Sequence, residues 1–218
     1  MNEGALNELL ERQARAMCSA ALDAIQMRGV LREGEQRVPD FTVSLGRPDR
    51  LRIDAGGFAE GYDGRQSWEK PSQQPRGAPV SGPPADALRR AARWPSPIRS
   101  LRDCRDDGCG LALTGWERED GRELAVVRMT QADGFARDYR LDAATGLILR
   151  SRDMRPLHPG QSAETIETWH EDYRLAAGIC VAFRQSERSL DRGRELVVLE
   201  WQTVVANPEL PAGLFEIP

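Results

Sequence analysis

Tight turns recur through the second half of this chain and constrain its fold more than any other feature. Asp120-Gly121, Asp133-Gly134, Thr145-Gly146, Ala177-Gly178 and Arg192-Gly193 each separate segments rich in Val, Ile, Leu, Tyr, Phe and Trp. A glycine in such a turn takes a positive φ without steric cost, and Asp-Gly between two extended runs is the strongest short-range hairpin signal. The spacing predicts an antiparallel meander with strands near 110–117, 122–130, 135–141, 147–154, 165–175, 179–189 and 194–205.

The first half reads as a helix, some strands and a cover. Leu6, Leu9, Leu10, Ala14, Met17, Ala21, Ala24 and Ile25 keep one face apolar across 4–27, which predicts an amphipathic helix packed on a sheet. From Arg37 the period changes to two: Phe41, Val43 and Leu45, a turn at Arg47-Pro48-Asp49-Arg50, then Leu51 and Ile53. Two more strands are expected around 58–62 and 65–68, joined by Asp63-Gly64. Five prolines within 71–84 predict a loop, and short helices are expected within 85–103.

These elements predict one domain over 1–218: an N-terminal helix within 1–28, a Pro-rich loop at 71–84 and short lid helices at 85–103. About four early strands and seven later ones exceed the ~10 that a strongly twisted open sheet holds without curling or splitting. The fold class expected is mainly β with helices (α+β), a large curled antiparallel sheet forming an incomplete barrel with the helices across its opening.

Charge and motif exclude several kinds of chemistry. With 30 basic against 34 acidic residues the net charge is −4, so no basic excess is available for nucleic acid. Lys70 is the single lysine, and the arginine bias reads as compositional or as a binding surface. His158 and His170 are the two histidines, and no His, Cys or carboxylate grouping has metal spacing, so neither a metal nor a cofactor is expected. No Gly-x-Ser-x-Gly elbow occurs, and Ala55-Gly56-Gly57-Phe58 lacks the lysine and helix of a phosphate loop. Glu171 and Asp172 are adjacent on a predicted strand and therefore point to opposite faces. An enzyme is not expected. Cys104 and Cys109 lie in one polar loop, as a small disulfide or as two thiols, while Cys18 and Cys180 read as buried thiols.

What remains is a set of large side chains on predicted strands. Leu51, Ile53, Phe58, Tyr62, Trp68, Phe135, Tyr139, Trp169 and Trp201 either fill a core or line an apolar cavity suited to a hydrophobic ligand.

Arg47-Pro48-Asp49-Arg50-Leu51-Arg52 and Tyr62-Asp63-Gly64-Arg65-Gln66-Ser67-Trp68 carry a resemblance. Further along, Tyr139 to Leu147, Asp172-Tyr173-Arg174 before Gly178, and the closing Asn207-Pro208 to Glu216 extend it. In their order these segments are similar to LolA-like periplasmic lipoprotein carriers and the outer-membrane lipoprotein-sorting superfamily, over about 5–217. The resemblance implies a half-barrel with a helical lid enclosing a cavity for acyl chains. It also implies that Arg47, on its own residues a solvated turn arginine, helps to hold the lid closed. The long Pro-rich insertion at 71–84 departs from that pattern, as does the lack of a secretory leader in the first ten residues.

The function expected is non-enzymatic binding of a lipid or lipoprotein acyl chain, with lipoprotein carriage in the cell envelope as its specific form. The alternative is a protein–protein interaction or envelope-stress sensor module with a filled core. Expected partners are a lipid or acyl chain, an envelope protein and the membrane surface peripherally, with a monomeric chain. A leader upstream of Met1 implies the periplasm or envelope, and a native start at Met1 the cytoplasm.

Overall fold

The computed structural model describes residues 3–18, 21–156, 161–176 and 178–218. The elements run α1 (Glu3–Met17), β1 (Ala24–Glu33), β2 (Gln36–Gly46), β3 (Arg50–Ala55), β4 (Phe58–Tyr62), β5 (Ser67–Lys70), β6 (Ala78–Pro79), α2 (Pro83–Ala92), α3 (Leu101–Asp106), β7 (Gly110–Glu119), β8 (Arg122–Thr130), β9 (Ala136–Asp142), β10 (Ile148–Arg155), β11 (Glu164–Ala176), β12 (Ile179–Ser189) and β13 (Arg194–Ala206). The strands form one sheet in the order β6-β5-β4-β3-β2-β1-β13-β12-β11-β10-β9-β8-β7. Its ends, β6 and β7, are not paired with each other, so the sheet is unclosed, as an incomplete barrel requires.

The chain forms two compact units. Unit 1 takes Met1–Ser19 and Pro95–Val198, and unit 2 takes Ala20–Trp94 and Leu199–Pro218. Strand β13 begins in unit 1 and ends in unit 2.

The meander follows the turn chemistry. Gly121, Gly134, Gly146, Gly178 and Gly193 all have positive φ, and at the β7–β8 hairpin Asp120 does too (φ 47), so both central positions have the twist that a tight hairpin needs. In the β9–β10 turn the Asp142 Oδ1 accepts from the Ala144 and Thr145 amides at 3.0 and 2.8 Å, an Asx turn.

Three boundaries differ from the sequence expectation. Helix α1 ends at Met17, with Leu6, Leu9, Leu10 and Gln13 buried on one face, and the segment from Ala24 is strand β1. Ala24 and Ile25 satisfy both periodicities, but Ile25 and Met27 are buried and Arg28 is exposed, which is alternation. The Pro-rich stretch contains the two-residue β6, and α2 starts within it, because its missing amides make proline acceptable in the first turn. Helix α3 runs on to Asp106 and is N-capped by Ser100 in a reciprocal capping box: Asp103 N–H donates to Ser100 Oγ (3.1 Å) and Ser100 N–H donates to Asp103 Oδ2 (2.7 Å). No helix among the described residues is long and apolar enough to cross a membrane.

Candidate functional site

In unit 2, one face of the sheet carries most of the expected lining residues. Directly opposed residues share a face, so the register aligns Ile25, Leu45, Leu51, Tyr62 and Ser67 in one row and Met27, Val43, Ile53, Glu60 and Glu69 in the next. Phe58 follows on the same face. Trp201 joins it through a tilted ring contact with Phe41 at 5.9 Å. Ser67 Oγ donates to the Ala85 carbonyl at 2.8 Å, which seats α2 over this face. Leu51, Tyr62 and Trp201 are buried, while Val43, Ile53 and Phe58 are half-buried. Glu60 stands directly opposite Glu69 at the polar end, and burial, with the neighbouring charge second, raises its carboxyl above the usual range.

Trp68 lies on the opposite face of unit 2. It is fully buried and its Nε1–H donates to the Phe215 carbonyl at 2.7 Å. Arg52, on the same face, donates to the Leu214 carbonyl at 2.9 Å. The C-terminal segment therefore closes this face, and Trp68 belongs to that seal and not to the α2-covered surface.

Unit 1 places Tyr139 on the face nearest α3, where the Cys104 thiol lies close enough to affect its ionisation. The register sets Val127, Tyr139, Ser151, Thr168 and Glu187 in one row and Met129, Arg137, Asp153, Ile166 and Ser189 in the next. Leu141, Ala125 and Ile148 continue this face as an apolar floor, all nearly inaccessible. Its other end is charged. Arg137 donates to Ser151 Oγ (2.8 Å) and Thr168 Oγ1 (3.2 Å) and pairs with Asp153 (3.3 Å), Arg155 pairs with Asp153 (2.9 Å) and Glu187 (2.8 Å), and His170 Nε2 is 3.4 Å from Ser151 Oγ. Two cations and two carboxylates balance, as burial demands. The Tyr139 hydroxyl is buried without a hydrogen-bond partner among the described residues, and burial raises its ionisation well above the ordinary phenol. Burial, then Arg137, lowers His170 to about 3, so its imidazole is neutral.

Trp169 lies on the other face of unit 1, among arginines. The Arg150 and Arg188 guanidiniums lie 4.7 and 5.4 Å from its ring, and its Nε1–H donates to Glu167 Oε2 at 3.0 Å. Arg140 pairs with Glu117 (2.9 Å), Arg128 with Asp138 (2.7 Å), Arg152 with Glu167 (2.7 Å), Arg150 with Glu119 and Arg184 with Glu171. On this face, then, these arginines are held in cross-strand ion pairs. At the hairpin end of this face is a cleft of about 730 Å³, with Leu124, Leu147, Leu149, Trp169 and Tyr173 as apolar lining and Arg122, Arg150 and several carboxylates around them. No local pattern signals this cleft, because its walls come from the β7–β8 and β9–β10 turns and from β8, β10 and β11, which are distant in the chain.

Among the described residues no grouping of His, Cys, Asp and Glu could hold a metal ion. Glu171 and Asp172 are each committed to an arginine, Arg184 and Arg174, and do not converge. His158 lies outside the described residues.

No protein-family model and no curated protein sequence matches the chain. Solved structures do. A DUF1329 family protein from Desulfovibrio piger superposes with a TM-score of 0.67 at 13% identity, covering 98% of this chain and 96% of that one. A LolA superfamily protein from Nitrosomonas europaea gives 0.66 at 11% identity, covering 96% of both chains. The fold is LolA-like. A domain assigned to outer membrane lipoprotein sorting in Vibrio parahaemolyticus gives 0.63 at 13% identity, covering 98% of this chain and 97% of that one. At such identities the likeness concerns the fold.

On this LolA-like sheet, the turn motif at Arg47 is a joint of unit 2. Arg47 Nε donates to the Leu22 carbonyl at 2.9 Å and its amide to Asp23 O at 2.8 Å, tying the β2–β3 turn to the approach to β1. The contact from this turn toward the end of α2 is made by Asp49, paired with Arg93 at 3.1 Å. Phe135 is half-buried in the β8–β9 turn, beyond the rows of the covered face.

Proposed function

We propose that this chain is a non-enzymatic envelope protein that binds a lipid or lipoprotein acyl chain on the helix-covered face of its sheet. The observation that carries the reading is the α2-covered surface of unit 2, where Leu51, Ile53, Phe58, Tyr62 and Trp201 share a face on a LolA-like scaffold and Ile53, Val43 and Phe58 keep part of their surface open. Apolar burial supplies the binding energy: at ~25 cal/mol per Å², an acyl chain burying about 400 Å² gains roughly 10 kcal/mol before the costs of association. No group on that face is needed as a nucleophile, acid or base. The likeness to structures named for the LolA superfamily and for lipoprotein sorting supports the acyl chain as ligand and lipoprotein carriage as the specific role.

Delipidated chain titrated with a fluorescent fatty-acid probe tests this. Saturable one-to-one binding, lost in Leu51→Asp and retained in Trp169→Ala on the arginine-lined face of unit 1, is expected; absence of binding at high micromolar probe overturns it. A second reading, a module for a protein partner, draws support from β7, a ten-residue strand at the end of the sheet with Trp116 half-exposed.

A further inference from the structure

Cys104 and Cys109, two cysteines that the lipid-binding reading does not use, occupy defined positions at the end of α3. Asp107 is the C-cap and Gly108 follows with φ 92. The Cys109 amide donates to the Cys104 carbonyl at 3.0 Å and the Gly108 amide to the Arg105 carbonyl at 2.9 Å. This pair of bonds is a Schellman motif, in which the third residue from the helix end and the second residue after the cap habitually place their side chains in contact. Here both of those side chains are thiols.

The distances suit a bond. A carbonyl-to-amide hydrogen bond of 3.0 Å limits the two Cα atoms to about 7.2 Å even if all the links were collinear, and the bend at the carbonyl carbon brings that limit under about 7 Å; disulfides span roughly 4.4–6.8 Å. Cys104 is fully buried against the covered face of unit 1, and Cys109 is half-buried and accessible from solvent. The thiols sense each other electrostatically, and burial pushes Cys104 up to about 12. Cys18 and Cys180 occupy no such paired turn positions.

We propose that Cys104 and Cys109 form a redox pair that closes to a disulfide when the chain meets a small-molecule disulfide oxidant. The Cys109 thiolate attacks one sulfur of the oxidant, forms a mixed disulfide and releases one thiolate. Cys104 then loses its proton and attacks Cys109 Sγ, forming the internal S–S bond and expelling the second. Two S–H bonds of the protein are lost, one S–S bond forms, and two electrons and two protons pass to the oxidant, which leaves as two thiols. The bond fastens the end of α3 to the start of β7. Because α3 places Leu101 and Cys104 in the buried layer of unit 1, the clip holds this cover in place.

The test uses the whole chain, fully reduced and then equilibrated at pH 8 with mixtures of oxidised and reduced glutathione, quenched by acid and digested with trypsin without reductant. The expected product is the disulfide-linked pair of peptides Asp103–Arg105 and Asp106–Arg118, lighter by two hydrogens than the separate thiols and increasing with the oxidised fraction. Cys104→Ser is expected to trap a glutathione adduct on Cys109, and Cys109→Ser to give no linked pair. Recovery of both residues as thiols, as two separate adducts, or linked to Cys18 or Cys180 overturns the proposal. The wild-type digest decides this even if a variant fails to fold.

Discussion

Trp68 shows how a residue can be singled out in the sequence while the face it occupies is set by the fold. Its ring is inaccessible and its indole N–H is bonded to the Phe215 carbonyl, so it joins the sheet of unit 2 to the C-terminal segment. Arg50 over the Phe215 ring at 4.9 Å and Arg52 on the Leu214 carbonyl strengthen the same closure. Removing the ring leaves a cavity and an orphaned carbonyl: Trp68→Ala is expected to cost about 3–5 kcal/mol in urea unfolding. Trp68→Phe keeps most of the apolar surface and loses the bond, so a smaller cost of about 1–3 kcal/mol is expected. Neither variant should weaken fatty-acid binding to the folded chain, since Trp68 faces away from the α2-covered surface; weakened binding by folded Trp68→Phe would place the ligand on the C-terminal side instead.

At the scale of the element, the buried polar row across β9 to β12 makes stability depend on pH. His170 is held at about 3 in the fold, against about 6.5 in an unfolded chain. Above pH 6.5 both states are neutral there and the residue contributes no pH dependence. Below it the unfolded chain takes a proton that the fold refuses, so stability falls by up to about 1.4 kcal/mol per pH unit until the folded value is reached. His170 keeps part of its surface open, so that slope is a ceiling. Wild type and His170→Gln, compared by urea unfolding between pH 7 and 4, should diverge in slope, with the variant losing less stability in acid; parallel curves would show that another group controls the acid limb. This row also shows where sequence reading stops. The turns were legible because glycine's positive φ is a local requirement, and β7 to β13 follow from them. Which face a strand covers is not local: Trp169 and Tyr139 look alike in the sequence, yet one lies among arginine–glutamate pairs and the other against α3. Strand β1 was obscured for a related reason, since Ala24 and Ile25 fit a helical stripe as well as they fit alternation.

For the whole molecule, the acyl-chain reading makes a thermodynamic demand that a filled-core module does not. A ligand that binds only the folded chain stabilises it by RT ln(1 + [L]/Kd), about 2.7 kcal/mol when free ligand is one hundred times Kd. The expectation is a fatty-acid-dependent rise in the urea midpoint of the delipidated chain, growing with the logarithm of ligand concentration once it exceeds Kd. Ile53→Asp places a charge on the half-buried surface under α2 and should abolish the rise, while Trp116→Ala at the edge strand β7 should leave it intact. The opposite pattern, with the midpoint indifferent to lipid and partner capture dependent on Trp116, would move the function from the covered face to the edge of the sheet. The two outcomes separate because the surfaces lie in different units, Ile53 in unit 2 and Trp116 in unit 1, so one substitution does not remove the other's contacts.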